Sequence, residues 1–87
     1  MSEPQEFSAV VTDIRLESRE GGTVRWRMTL DNTKFAAGDV GVLEAVSRTG
    51  THIEVPVLAV IDEGGDIWHV VEKPLAAGTD VVGRVTR

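Results

Sequence analysis

The chain has no cysteine and no tyrosine, only two tryptophans and two phenylalanines, and nine basic residues against fourteen acidic ones. Without cysteine there is neither a disulfide framework nor a thiolate metal site. The net charge of −5 argues against general nucleic-acid binding, whose affinity rests on neutralised phosphates. Acidic and basic residues are interspersed, as on a solvated surface. No run approaches the ~20 apolar residues that span a bilayer. Residues 1–6 hold neither the basic nor the apolar segment of a signal peptide. The expected setting is therefore the cytoplasm or a virion, without membrane insertion.

The inventory for catalysis is equally thin. There is no GxSxG, P-loop or GxGxxG pattern. His52 and His69 stand 17 residues apart without the spacing of a metal site, so a packed or a surface role is expected for each. Asp62, Glu63 and Asp66 bracket a Gly-Gly turn but lack the ligand order of a calcium loop. A solvated turn is expected there. The reading is of a chain with no catalytic residues, no metal and no cofactor.

What is present is β-sheet chemistry. Val, Ile and Thr recur between glycine turns, and no window shows a helical stripe. After a disordered lead over residues 1–6, six strands are expected, over 8–17, 23–30, 40–48, 51–61, 67–72 and 81–86. In the first, Val10, Thr12, Ile14 and Leu16 share one face. In the second, Val24, Trp26, Met28 and Leu30 point inward, and Arg25, Arg27 and Thr29 outward. The fold class is all-β, a single small barrel or sandwich. At 87 residues such a domain buries only ~60–65% of its unfolded surface, so oligomerisation or docking on a larger body is expected to supplement the core.

The chain also carries a doubled pattern. Glu20-Gly21-Gly22, Trp26 and Ala36-Ala37-Gly38 are matched by Glu63-Gly64-Gly65, Trp68 and Ala76-Ala77-Gly78. The pattern fits two pseudo-symmetric halves. Either a duplication or convergent turn chemistry produces it. On the repeat reading both tryptophans are core residues.

Two stretches invite a functional reading. From Val55 onward, the strand over 51–61 is apolar on both faces. Val55, Val57, Ala59 and Ile61 line one side; Pro56, Leu58 and Val60 line the other. A small barrel needs only one apolar face, so Val55, Pro56, Val57, Leu58 and Val60 form a candidate partner-binding strand. Arg15, Arg19, Arg25, Trp26 and Arg27 form an alternative face on which a single-stranded nucleic acid would stack and pair. Strand alternation opposes it by separating Trp26 from its flanking arginines, which are expected to pair with Asp13 and Glu17.

Leu30-Asp31-Asn32, Ala37-Gly38-Asp39-Val40, Glu54-Val55-Pro56-Val57-Leu58-Ala59-Val60, Gly64-Gly65 and Val70-Val71 together resemble the β-domains of membrane-fusion (periplasmic adaptor) proteins. The resemblance covers residues 30–72. It implies domains that pack side by side in efflux or secretion assemblies. Asp39 stands where that family's glycine turn continues into a hydrophobic residue, and neither a lipoyl-like domain nor a long helical hairpin is seen.

The functional expectation is a non-enzymatic structural module that associates with a protein partner or with itself as a homo-oligomer. Its most concrete form is an accessory subunit of a larger particle, such as a virion decoration or tail component. The alternatives are a single-stranded nucleic-acid-binding barrel and an adaptor-type β-domain.

Overall fold

In a computed structural model that describes residues 5–47 and 49–86, the chain forms seven strands and, among those residues, no helix. They are β1 (Gln5–Glu20), β2 (Thr23–Leu30), β3 (Val40–Val46), β4 (His52–Val57), β5 (Ala59–Glu63), β6 (Asp66–Val71) and β7 (Asp80–Thr86). All neighbours are antiparallel, in the order β4-β3-β7-β1-β2-β6-β5. The all-β reading therefore holds, with one strand more than expected.

The sheet folds on itself at two corners. The first part of β1 pairs with β7 and the later part with β2, so one strand serves two ladders. Sheet A is β4-β3-β7-β1 and sheet B is β1-β2-β6-β5. The second corner is Leu58, the single residue between β4 in sheet A and β5 in sheet B. Its N–H bonds to the Val70 carbonyl at 2.9 Å. Between the sheets lies a core that includes Phe7, Val11, Met28, Leu43, Val55, Val60, Val71 and Val81.

These corners correct two expectations. Residues 51–61 do not form one strand with two apolar faces. Val55 and Val57 point inward from β4, the alternation resets at Leu58, and Val60 points inward from β5. In β1 the inward residues begin as Phe7, Ala9 and Val11, so that Val10 does not share a face with Ile14 as strict alternation expects. A register shift between Val11 and Asp13 then turns Ile14 toward the core. One extra residue moves the side chains after it to the other face, until a second shift between Leu16 and Ser18 restores the phase. Strand order also reaches back to Gln5 and Glu6, within the expected lead; residues 1–4 of that lead lie outside the described residues.

The doubled pattern is built into the pairing. Both Gly-Gly turns join their strands through two residues at positive φ, Gly21 and Gly22 at 55° and 83°, Gly64 and Gly65 at 63° and 87°. This is the hairpin turn whose twist matches the strands it joins. The EGG triplets are 43 residues apart, which makes His69 the counterpart of Trp26, Val70 of Arg27 and Val71 of Met28. The β2–β6 register is Trp26 with Val71, Arg27 with Val70 and Met28 with His69. A pseudo-twofold thus passes through Arg27–Val70, where a residue faces its own counterpart, and it exchanges the Trp26–Val71 and Met28–His69 pairs. In sheet A the AAG spacing of 40 makes Gly83 the counterpart of Leu43. That pair is the centre of a β3–β7 ladder with the same symmetry.

The tryptophans break the pattern. They are 42 residues apart, not 43, and on a strand a slip of one exchanges the faces. Trp26 packs against the core, whereas Trp68 lies on the outer face of sheet B. Trp68 is buried, at 6% exposed, but outside the central core cluster that Trp26 packs against, and the inward counterpart of Trp26 is His69.

Candidate association surface

Because Phe7, Ala9, Leu43, Ala45, Val55, Val57, Val81 and Val85 point into the core, strand alternation fixes what sheet A shows outside. Val10 comes from β1, Val40, Val42 and Val46 from β3, Pro56 from β4 and Val82 from β7. Val40 and Val46 are nearly half exposed, at 45% and 46%, and Val10, Val42 and Val82 are partly exposed. Of the five residues expected on the partner-binding strand, only Pro56 and Leu58 reach the surface. Val55, Val57 and Val60 are buried. The sequence signal that would have found the face is β3 itself: in Val40-Gly41-Val42-Leu43-Glu44-Ala45-Val46, both faces carry apolar residues.

A charged line crosses the valines. The Arg84 Nε donates to Glu6 Oε2 at 2.9 Å, and its Nη1 lies 3.5 Å from Glu44 Oε2. His52 Nδ1 lies 3.0 Å from Glu44 Oε1. The His52 hydrogen bond, with Arg84 beside it, holds the Glu44 carboxyl below its ordinary range. Beside this line is an open hollow of about 350 Å³ with Val10, Val46 and Val82 in its wall and Asp31, Glu44 and Asp80 around it. A second hollow of about 340 Å³ shares Val46 and Asp80 with it.

The arginine face is differently made. Arg15 and Arg27 do lie side by side, but over Trp68, not Trp26. Their guanidinium carbons are 5.4 and 4.6 Å from the Trp68 ring centroid. Arg27 also meets Glu63 at 3.1 Å and Glu17 at 3.4 Å. The Glu17 contact is too poorly aligned to be a hydrogen bond, so Arg27 Nε is a buried donor without one. Asp13 pairs with Arg15 at 3.1 Å. The expected partner Glu17 is thus found on Arg27, while Asp13 serves Arg15. Arg19 and Arg25 are exposed nearer the hairpin tip. Trp26 is on the other side of the sheet. No exposed aromatic platform results, since the two guanidiniums already cover Trp68, leaving it 6% exposed.

Arg27→Ala is expected to destabilise the fold by about 1–2 kcal/mol, through the lost cation–π contact and packing. In a Trp26→Phe background the Trp68 emission should shift to the red as its face opens to water. Unchanged emission would show that Arg27 does not cover the ring.

The two histidines differ. His52 is exposed in the Glu44 line, and His69 is fully buried. Its Nδ1 lies 2.9 Å from the Met28 carbonyl, which only accepts, so Nδ1 carries the proton. Nε2 then accepts from the Thr33 hydroxyl at 2.9 Å, and Thr33 Oγ1 in turn accepts the Phe35 N–H at 3.0 Å. This closed chain suits a neutral imidazole, and burial pushes its pKa below the ordinary value. The arrangement is a packing device. Among the described residues, no three His, Cys, Asp or Glu side chains are placed to hold a metal ion.

No protein-family profile matches the chain, and a search of curated proteins finds no match.

Proposed function

We propose that the chain is a non-enzymatic association module that presents the outer face of sheet A to a protein partner. The observation that carries this is the valine face of sheet A: Val42 and Val82 are partly exposed on its two inner strands, and Val40 and Val46, at the two ends of β3, are near half exposure. A sheet face of this kind ordinarily packs on something, and among the described residues no loop covers Val40 or Val46. The most concrete form of the role is an accessory subunit of a larger particle, such as a virion decoration or tail component. An adaptor-type place in an efflux or secretion assembly would use the same face, by side-by-side packing. The single-stranded nucleic-acid reading has less support, because Arg15 and Arg27 are engaged by Trp68 and carboxylates.

A photo-crosslinking residue placed at Val46 should give one defined adduct in the source cell or particle, and the same residue at Asp66, in the turn region of sheet B, should not. Adding Val82→Arg should abolish the adduct. A species that stays at 9.4 kDa by light scattering, together with no adduct from position 46, would remove the proposal.

A further inference from the structure

We infer that the partner of this face is basic, and that a lysine or arginine side chain of that partner fills the hollow between Val10, Val46 and Val82. The inference rests on the association reading above and adds the chemistry of what docks.

The argument is charge complementarity on an apolar floor. The hollow of about 350 Å³ has its exposed lining mostly on apolar atoms, and the ionisable residues among the described residues that line it are Asp31, Glu44 and Asp80. None of the described residues that line it is cationic. Lysine and arginine match this pairing of surfaces, since each lays an apolar stem along apolar surface and keeps a charged head at a polar rim. The neighbouring hollow, with Ser47 and Thr79 in its lining, extends the groove along the chain end of sheet A and gives an extended segment room to continue.

The rim is set up to stay anionic. Glu44 is held in its charged form by His52 and Arg84. Asp31 is fixed in place, because its Oδ1 accepts the Val10 N–H at 2.9 Å. Asp80 opens β7 and is exposed. Arg84, the guanidinium on this face among the described residues, is engaged by Glu6 and Glu44.

The same charges make a second copy of this chain a poor occupant. Two such faces would bring Asp31, Glu44, Glu54 and Asp80 of one copy against those of the other, with Arg84 as the basic residue among the described residues of each. Like charges placed across an interface cost several kcal/mol and suppress the wrong partner.

The test uses the whole chain and two probes, the capped peptide Val-Lys-Val-Arg-Val and its analogue with norleucine and citrulline in place of Lys and Arg. Binding is followed by amide chemical shifts and by calorimetry at low and high salt. The basic peptide should shift Val10, Val46 and Val82, and its affinity should fall as salt rises. Asp80→Lys should weaken it about tenfold or more. Asp31→Asn, which keeps an oxygen for the Val10 N–H, should weaken it by a smaller factor. Asp66→Lys, in sheet B, should leave it unchanged. If the neutral analogue binds as tightly as the basic peptide, the charge argument is overturned while the association reading stands. If neither peptide binds and the chain runs as a dimer that Val46→Arg dissociates, the occupant is a second copy. If there is no peptide binding, no dimer and no adduct from position 46, both readings fall.

Discussion

Gly41→Ala is expected to cost about 3 kcal/mol or more, at the upper end of what overpacking a core site costs. A Cβ at this position would run into the backbone carbonyl of Arg84 across the β3–β7 ladder, and would stand 2.9 and 3.0 Å from two ring carbons of Phe35. A carbonyl held in a ladder cannot move aside without separating the strands. Gly83→Ala is the informative companion. Its Cβ would overlap the Phe7 ring, a side chain and not backbone. Gly83 is the pseudo-twofold counterpart of Leu43. Leu43 is paired with Val55, and Gly83 with Phe7. One half of the molecule therefore fills this layer with Leu and Val, the other with Gly and Phe.

The two glycines should respond differently to relief. Phe7→Leu removes the ring atoms that an alanine at 83 would strike. The double variant Gly83→Ala with Phe7→Leu should then be more stable than the sum of the single changes implies, with a coupling of about 0.5–3 kcal/mol. No change at Phe35 should rescue Gly41→Ala in the same way, because the backbone clash remains. Urea denaturation midpoints at constant slope measure each change. Strict additivity at 7 and 83, or a Gly41→Ala protein as stable as the parent, would contradict this packing account.

His69→Leu is expected to cost about 1–3 kcal/mol, the penalty for leaving the buried Met28 carbonyl and Thr33 hydroxyl without their partner. Leucine keeps most of the volume beside Phe35, whose ring meets the imidazole edge to face at 5.2 Å, so the loss is mainly one of hydrogen bonds. The pH dependence separates this from a simple packing defect. The imidazole has an ordinary pKa of 6.5, lowered in the folded chain by burial. The stabilisation from keeping it neutral is complete above about 6.5. As pH falls below that value the unfolded chain takes up the proton first, and stability declines until the folded pKa is reached, by at most about 1.4 kcal/mol per pH unit. His69→Leu should flatten the profile in that window. The Glu44 line acts lower. Its stabilising effect is present above the ordinary carboxyl value of 4.5 and is lost as pH falls through the depressed one. A parent profile with no slope below 6.5 would show that His69 titrates normally and that the closed hydrogen-bond chain does not hold it neutral.

The sequence alone determined the class of this protein. Alternating Val, Ile and Thr between glycine turns admits little besides antiparallel sheet, and the two Gly-Gly hairpins and two Ala-Ala-Gly turns were legible because each needs a backbone that glycine adopts most readily. Its doubled spacing was legible too. The tertiary structure decided how the faces are assigned. Leu58 reads as one more apolar residue in a strand, yet it is the corner at which the chain passes from sheet A to sheet B, and that turn takes Val55, Val57 and Val60 into one core and removes them from the expected surface. A shift of one residue in β1 turns Ile14 to the core and leaves Val10, which alternation places on the same face, outside, and a difference of one between two spacings puts Trp68 outside where Trp26 is inside. Face assignment on a strand has a period of two, so a single bulge or corner reverses everything after it, and the residue that causes the reversal has no distinctive composition. The arginine pair over Trp68 and the valine face with its acidic hollow are consequences of those reversals. Both exist because strands distant in sequence, β1, β3 and β7 in one sheet and β1, β2 and β6 in the other, are brought edge to edge.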